Sequence, residues 1–131
     1  MPQFAPVVIK DTAEVAHTYN PDSITGGVAT LVESTGVPIG DKRITISSTK
    51  TQGDRRKLTF KFSFPVVQDA TVNGVVKPTV VRTAYADVVF SFSGDSSLKE
   101  RGDAADLVSN FFYLKEHALA AALIKNLEGL Y

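Results

Sequence analysis

The sequence predicts an α+β fold: an antiparallel β-meander of about five strands plus a short N-terminal hairpin, followed by a helical C-terminal third. Three observations carry this reading. Lys57-Leu58-Thr59-Phe60-Lys61-Phe62-Ser63-Phe64 alternates polar and apolar without a break, as a strand with one buried face does. Arg43-Ile44-Thr45-Ile46-Ser47 has the same period, and Thr51-Gln52-Gly53-Asp54-Arg55 between the two arms holds the Gly and Asp that a tight turn requires. Beyond Ser97 the period changes. Leu98, Ala105, Val108 and Phe112, then Leu119, Leu123, Ile124 and Leu127, recur at helical spacing.

In chain order, Pro6 to Lys10 is a short extended piece. Asp11-Thr12-Ala13 turns it, and Glu14 to Tyr19 returns as a second short strand. Asn20-Pro21-Asp22 is expected to break the chain. Gly27 to Glu33 is the next strand, and Thr35 to Asp41, with Gly36, Pro38 and Gly40, is a loop. In the hairpin that follows, Lys50 is expected to face Arg56. That register sets Ile46 against Phe60 and Ile44 against Phe62 on one face, with Thr45 against Lys61 and Ser47 against Thr59 on the other. Burying Leu58, Phe60, Phe62 and Phe64 is worth about 1.5–3 kcal/mol each. A slip of one residue forfeits most of that and buries Lys61 instead. One face is therefore apolar, and the other is rich in hydroxyls and cations.

Val66 to Pro78 reads as a loop or hairpin tip around Asn73-Gly74, a strong turn dipeptide. Thr79 to Phe92 is the last long strand, with Ala84, Ala86, Val88 and Phe90 on one side and Thr83, Tyr85 and Asp87 on the other. Ser97-Leu98-Lys99-Glu100 has capping-box spacing. Gly102 costs about 1 kcal/mol in a helix, and is kept more readily where another backbone comes close. The local pattern allows one long helix from 98 to 127, with Phe111-Phe112-Tyr113 as its weakest point.

Composition narrows the function. The chain has 131 residues, which suits one domain over 1–131, divided into a hairpin at 1–20, a sheet at 27–93 and helices at 97–128. The formal net charge is zero, so any grip on nucleic acid must come from a local patch. There is no cysteine, hence no disulfide framework or thiolate metal site. His17 and His117 are far apart in sequence and without obvious ligand company, so no metal is expected. No cofactor is expected either, since phosphate-loop and dinucleotide fingerprints are missing. No apolar run approaches the roughly 20 residues of a membrane span, and the N-terminus has no secretory pattern, so no membrane partner is expected. An open meander also leaves unpaired edges and a large apolar face. That face must be covered by this chain's own helices or by another chain's.

Several pieces, in this order and spacing, resemble the coat proteins of the single-stranded RNA bacteriophages, the leviviruses. They are Val32-Glu33-Ser34-Thr35-Gly36-Val37-Pro38, the arms Arg43–Ser47 and Lys57–Pro65, Thr71-Val72-Asn73-Gly74-Val75, Arg82-Thr83-Ala84-Tyr85-Ala86-Asp87-Val88, and the C-terminal Asn126-Leu127-Glu128-Gly129-Leu130-Tyr131. The first 25 residues match poorly. The resemblance implies two C-terminal helices dividing near Tyr113–Lys115, and an interlocked dimer in which each chain's helices roof the partner's sheet. It implies a non-enzymatic virion protein whose dimers form an icosahedral shell in the bacterial host cytoplasm. Val66–Pro78 looks like the family's loop around the symmetry axes. The polar face is implied to bind a genomic RNA stem-loop and so repress replicase translation. Residue by residue, Thr45 and Ser47 match positions receiving an unpaired adenine, with Thr59 and Lys61 on the neighbouring arm. Tyr85 matches a tyrosine that stacks on a loop base, and Asp87, Val28 and Arg43 match further contacts. Thr49 departs from members with Arg there; Lys50 or Arg55 are candidate substitutes.

Read from chemistry alone, Lys61 and Arg43 are ordinary solvated sheet residues. Tyr85 is a cross-strand packing residue, and Asp54-Arg55-Arg56-Lys57 is a soluble turn. The same residues suit RNA, since splayed bases are stacked on aromatics and hydrogen-bonded at their edges. Arg43, Arg55, Arg56, Lys57 and Lys61 supply phosphate charge. Two other functions stay open at this level: a general single-stranded RNA-binding module without a shell, and a small enzyme or carrier, for which no catalytic set is present.

Overall fold

The computed structural model describes residues 4–34, 36 and 38–130. Thr35 and Val37 of the expected loop, the first three residues and Tyr131 lie outside the described residues. The chain divides into two compact units, residues 1–91 and 92–131.

The first unit is built on one sheet in sequence order. Its strands are β1 (Val7–Lys10), β2 (Ala16–Thr25), β3 (Val28–Glu33), β4 (Lys42–Thr51), β5 (Arg55–Val72) and β6 (Val75–Phe92). The expected β4–β5 register is present: Lys50 opposes Arg56, Ile46 opposes Phe60, Ile44 opposes Phe62, Thr45 opposes Lys61 and Ser47 opposes Thr59. The turn between them is a short 3-10 segment, Gln52–Asp54, with Gly53 at φ 75 and Asp54 at φ 60. Both angles are left-handed, which is why Gly and Asp stand there.

The core follows from this register. Tyr19, Leu31 and Ile44 are buried as one cluster, with Phe4, Ile46 and Phe62 packed against it. Leu31 and Ile44 are direct cross-strand partners, as are Ile44 and Phe62. Phe62 stacks on Phe64 with ring centres 6.0 Å apart, and Phe60 meets Phe90 edge-on at 6.2 Å. Burial pushes the Tyr19 hydroxyl pKa up, with the nearby Glu33 carboxylate adding to it.

One sequence expectation fails here. Asn20-Pro21-Asp22 does not break the chain: β2 runs through it to Thr25, with a register shift between Pro21 and Ser23. Pro21 lies beyond the stretch paired with β1, which ends at Tyr19, and the bulge absorbs the irregularity. Val66 to Pro78, read as a loop or a hairpin tip, is the hairpin tip. It is strand on both sides of a two-residue turn at Asn73 (φ 53) and Gly74 (φ 78). Positive φ at both central positions matches the twist of the flanking strands, so β-branched Val and Thr continue the ladder to the tip. Pro78 is tolerated because β6 is an edge strand.

The second unit holds α1 (Leu98–Phe111) and α2 (Ala118–Lys125). The hydroxyl of Ser97 accepts the Glu100 N–H at 3.1 Å, the cap its spacing predicts. A single helix over 98–127 does not form. The chain leaves α1 at Phe112 and re-enters at His117, where the three aromatic residues weaken the helix. Phe111 stands edge-on to Phe112 at 5.3 Å and tilts against His117 at 6.1 Å. At the far end Leu127, expected inside the stripe, adopts φ 54 and closes α2. Gly102 has open space around it rather than a close backbone.

Candidate nucleic-acid interface

The period of two sorts each strand into faces, and the cross-strand register stacks them into rows. On the face opposite the phenylalanines, one row reads Lys61, Thr45, Thr30, Ser23 across β5, β4, β3 and β2. The row beside it reads Thr59, Ser47, Val28, Thr25. A third reads Ser63, Arg43, Val32, Asn20. Neighbouring strands lie about 4.8 Å apart, so each row spans roughly 14 Å. Lys61 and Arg43 are exposed, while Thr45, Ser47 and Thr59 are half-buried, so the hydroxyls line the floor and the cations stand above it.

Side chains place β6 on the same surface. Arg55 Nε donates to Ser91 Oγ at 3.2 Å, and Arg55 also donates to the Ser91 carbonyl oxygen at 3.2 Å. Phe90, the next residue, turns the other way to Phe60. Ser91 therefore shares the face of Arg55, Thr59 and Lys61, and the alternation brings Asp87 and Tyr85 to it. Tyr85 is 76% exposed.

All nine sequence-derived positions thus fall on one face: Val28 on β3, Arg43, Thr45 and Ser47 on β4, Arg55, Thr59 and Lys61 on β5, and Tyr85 and Asp87 on β6. The two candidate substitutes for a cation at Thr49 lie on different faces. Lys50 is on the opposite face, across from Arg56, and pairs with Asp54 at 3.0 Å. Arg55 is on the correct face but is tied to Ser91. Directly across from Thr49 stands Lys57, an exposed cation on the same face. That pairing belongs to the same register that sets Lys50 against Arg56.

Chemically, the face offers hydroxyls that donate or accept, cations for phosphate, and one exposed aromatic ring. Among the described residues no cluster of His, Asp and Glu could hold a metal ion, and no helix is long and apolar enough to cross a membrane.

Known proteins share this architecture. The chain is 42% identical to the capsid protein of Pseudomonas phage PRR1 over 131 residues, covering 98% of this chain and 99% of that one. It is 36% identical over 95 residues to the capsid protein of Qbeta virus strain MX1, covering 71% of each. The bacteriophage GA capsid protein superposes with a TM-score of 0.84 at 24% identity, over 98% of both chains. A virus-like particle of Beihai levi-like virus 21 superposes with a TM-score of 0.83 at 26% identity, over 99% of both. The levivirus coat protein family model matches residues 2–131, and the chain belongs to that family: it is a structural capsid protein, a component of the virion and not an enzyme.

Proposed function

We propose that this capsid protein dimerises by joining sheets edge to edge and assembles into an icosahedral shell around a single-stranded RNA genome in the host cytoplasm. On its polar face it binds a genomic stem-loop, repressing replicase translation. The observation that carries the RNA reading is the alignment of Lys61 with Thr45 and of Thr59 with Ser47, beside a Tyr85 ring left 76% exposed. Unpaired bases need that combination of hydroxyl edges, cation and π-face. Self-association is supported by the helices. α1 buries none of its residues, and Leu98, Val108 and Phe112, which recur at helical spacing, are 83%, 37% and 53% exposed. Apolar side chains left in water on an amphipathic helix mark a surface completed by another chain. β6, an 18-residue edge strand, offers the unpaired backbone groups for the sheet junction.

Purified full-length protein tests both parts. Size-exclusion chromatography and negative-stain microscopy should show particles far larger than a dimer; a persistent monomer at micromolar concentration refutes the shell. Titration with a stem-loop carrying an unpaired adenine should give tighter binding than unrelated single-stranded RNA. Equal binding of all RNAs with a steep salt slope would instead identify a general RNA-binding face.

A further inference from the structure

Away from the polar face, His17 on β2 lies between two carboxylates. Its Nε2 is 2.8 Å from Asp11 Oδ2, and its Nδ1 is 2.7 Å from Glu33 Oε2. Asp11 belongs to the β1–β2 turn, where its Oδ1 accepts the N–H of Ala13 at 2.9 Å and of Val15 at 3.1 Å. Glu33 ends β3, and its other oxygen is 3.9 Å from Lys42 Nζ on β4. The ring therefore ties the hairpin turn to the main sheet. Ionised carboxylates only accept hydrogen bonds, so both contacts are satisfied only when both ring nitrogens carry protons. A neutral ring turns a lone pair on one carboxylate.

The rest of the hairpin is weakly held. All four β1 residues are exposed, and among the described residues β1 is an edge strand paired with β2. Beside His17 a shallow cleft is lined by Ile9, Lys10, Tyr19, Lys42 and Phe64. The charged and titratable groups facing the ring are thus Asp11 and Lys10 from the hairpin, Tyr19 from β2, Glu33 from β3 and Lys42 from β4.

We propose that His17 is a proton-operated latch that holds the N-terminal hairpin to the sheet, closed when the imidazole is charged and released when it is neutral. The hydrogen bonds to Asp11, then Glu33, raise the imidazole pKa above its ordinary value against the opposing effect of desolvation. The same bond from His17 is the main cause that lowers the Asp11 pKa. A raised histidine pKa means the stabilisation is complete below the unfolded value of about 6.5 and fades as pH rises through the higher folded value. A lowered aspartate pKa means its share is present above about 3.9 and fades as pH falls through the lower folded value. The latch is closed between these limits and opens on the alkaline side.

Hydrogen–deuterium exchange on the full-length assembled protein, from about pH 6 to about pH 9 and corrected for intrinsic exchange rates, tests this. Amides of Val7–Lys10 and Ala16–Tyr19 should lose protection several-fold across the range while the β4–β5 amides hold theirs. Asp11→Asn should move that step to lower pH, and His17→Gln should abolish it, leaving the hairpin unprotected throughout. His117→Gln, outside this cluster, should leave the step in place. Hairpin protection that is flat with pH, or a step that survives in His17→Gln, overturns the latch. Should His17→Gln fail to fold, Glu33→Gln keeps the Asp11 contact and decides the same question: a step unchanged in height and position refutes it.

Discussion

Tyr85→Ala separates recognition from stability more cleanly than any other change on the polar face. The ring is 76% exposed, so its removal takes little apolar surface out of the fold. Surface substitutions of this kind usually shift stability by less than about 0.5 kcal/mol. A base stacked on the ring is worth about 1–3 kcal/mol, and its loss should weaken stem-loop affinity roughly 5- to 150-fold. Tyr85→Phe keeps the π-face and should recover most of that affinity. Filter binding or fluorescence anisotropy at fixed salt, beside a thermal melt and a micrograph for each variant, reads all three quantities. The stacking argument is refuted if Tyr85→Ala binds the stem-loop with native affinity while Lys61→Ala binds weakly, since the RNA would then contact the face without using the ring. A large drop in melting temperature would show instead that the ring supports the fold.

Other outcomes follow from the same geometry. Lys57→Ala should weaken binding similarly for all RNAs and reduce the slope of log affinity against log salt by about 1, whereas Lys50→Ala, on the other face, should leave the slope unchanged. Ile44→Ala, at 3% exposure between Leu31 and Phe62, should destabilise the protein by about 2–5 kcal/mol in denaturant melts. Ser97→Ala removes the acceptor for Glu100 N–H and should cost about 1 kcal/mol without altering stem-loop affinity. Gly74→Val forces a β-branched residue to φ 78; it should cost more than about 1 kcal/mol and weaken protection of the amides flanking the tip in hydrogen exchange.

The parts that sequence reasoning reached are those governed by neighbours a few residues apart. Strict alternation at Lys57–Phe64 and Arg43–Ser47, with Gly53 and Asp54 in the turn, determined the central hairpin and its register. A slip there exchanges phenylalanine for lysine in the core, so one pairing dominates. The Ser97 cap and the weak aromatic step at Phe111–Tyr113 were legible for the same local reason. Where local signals compete with the sheet, the sheet prevails. Pro21 reads as a break, yet β2 crosses it because pairing with Leu31 and the residues beyond outweighs one irregular position. The Val66–Pro78 segment reads as a loop or a hairpin tip, and two long strands make it the tip. Across strands not joined by a short turn, sequence has no such reach. That Arg55 is held by Ser91, and that His17 bridges Asp11 and Glu33, depend on side chains brought together from segments far apart in the chain. The sequence by itself determined which residues face alike along each strand, because that is set by backbone period. Outside the central hairpin only the tertiary structure decided which of them meet, because that is set by register, bulges and the energy of pairing one strand with the next.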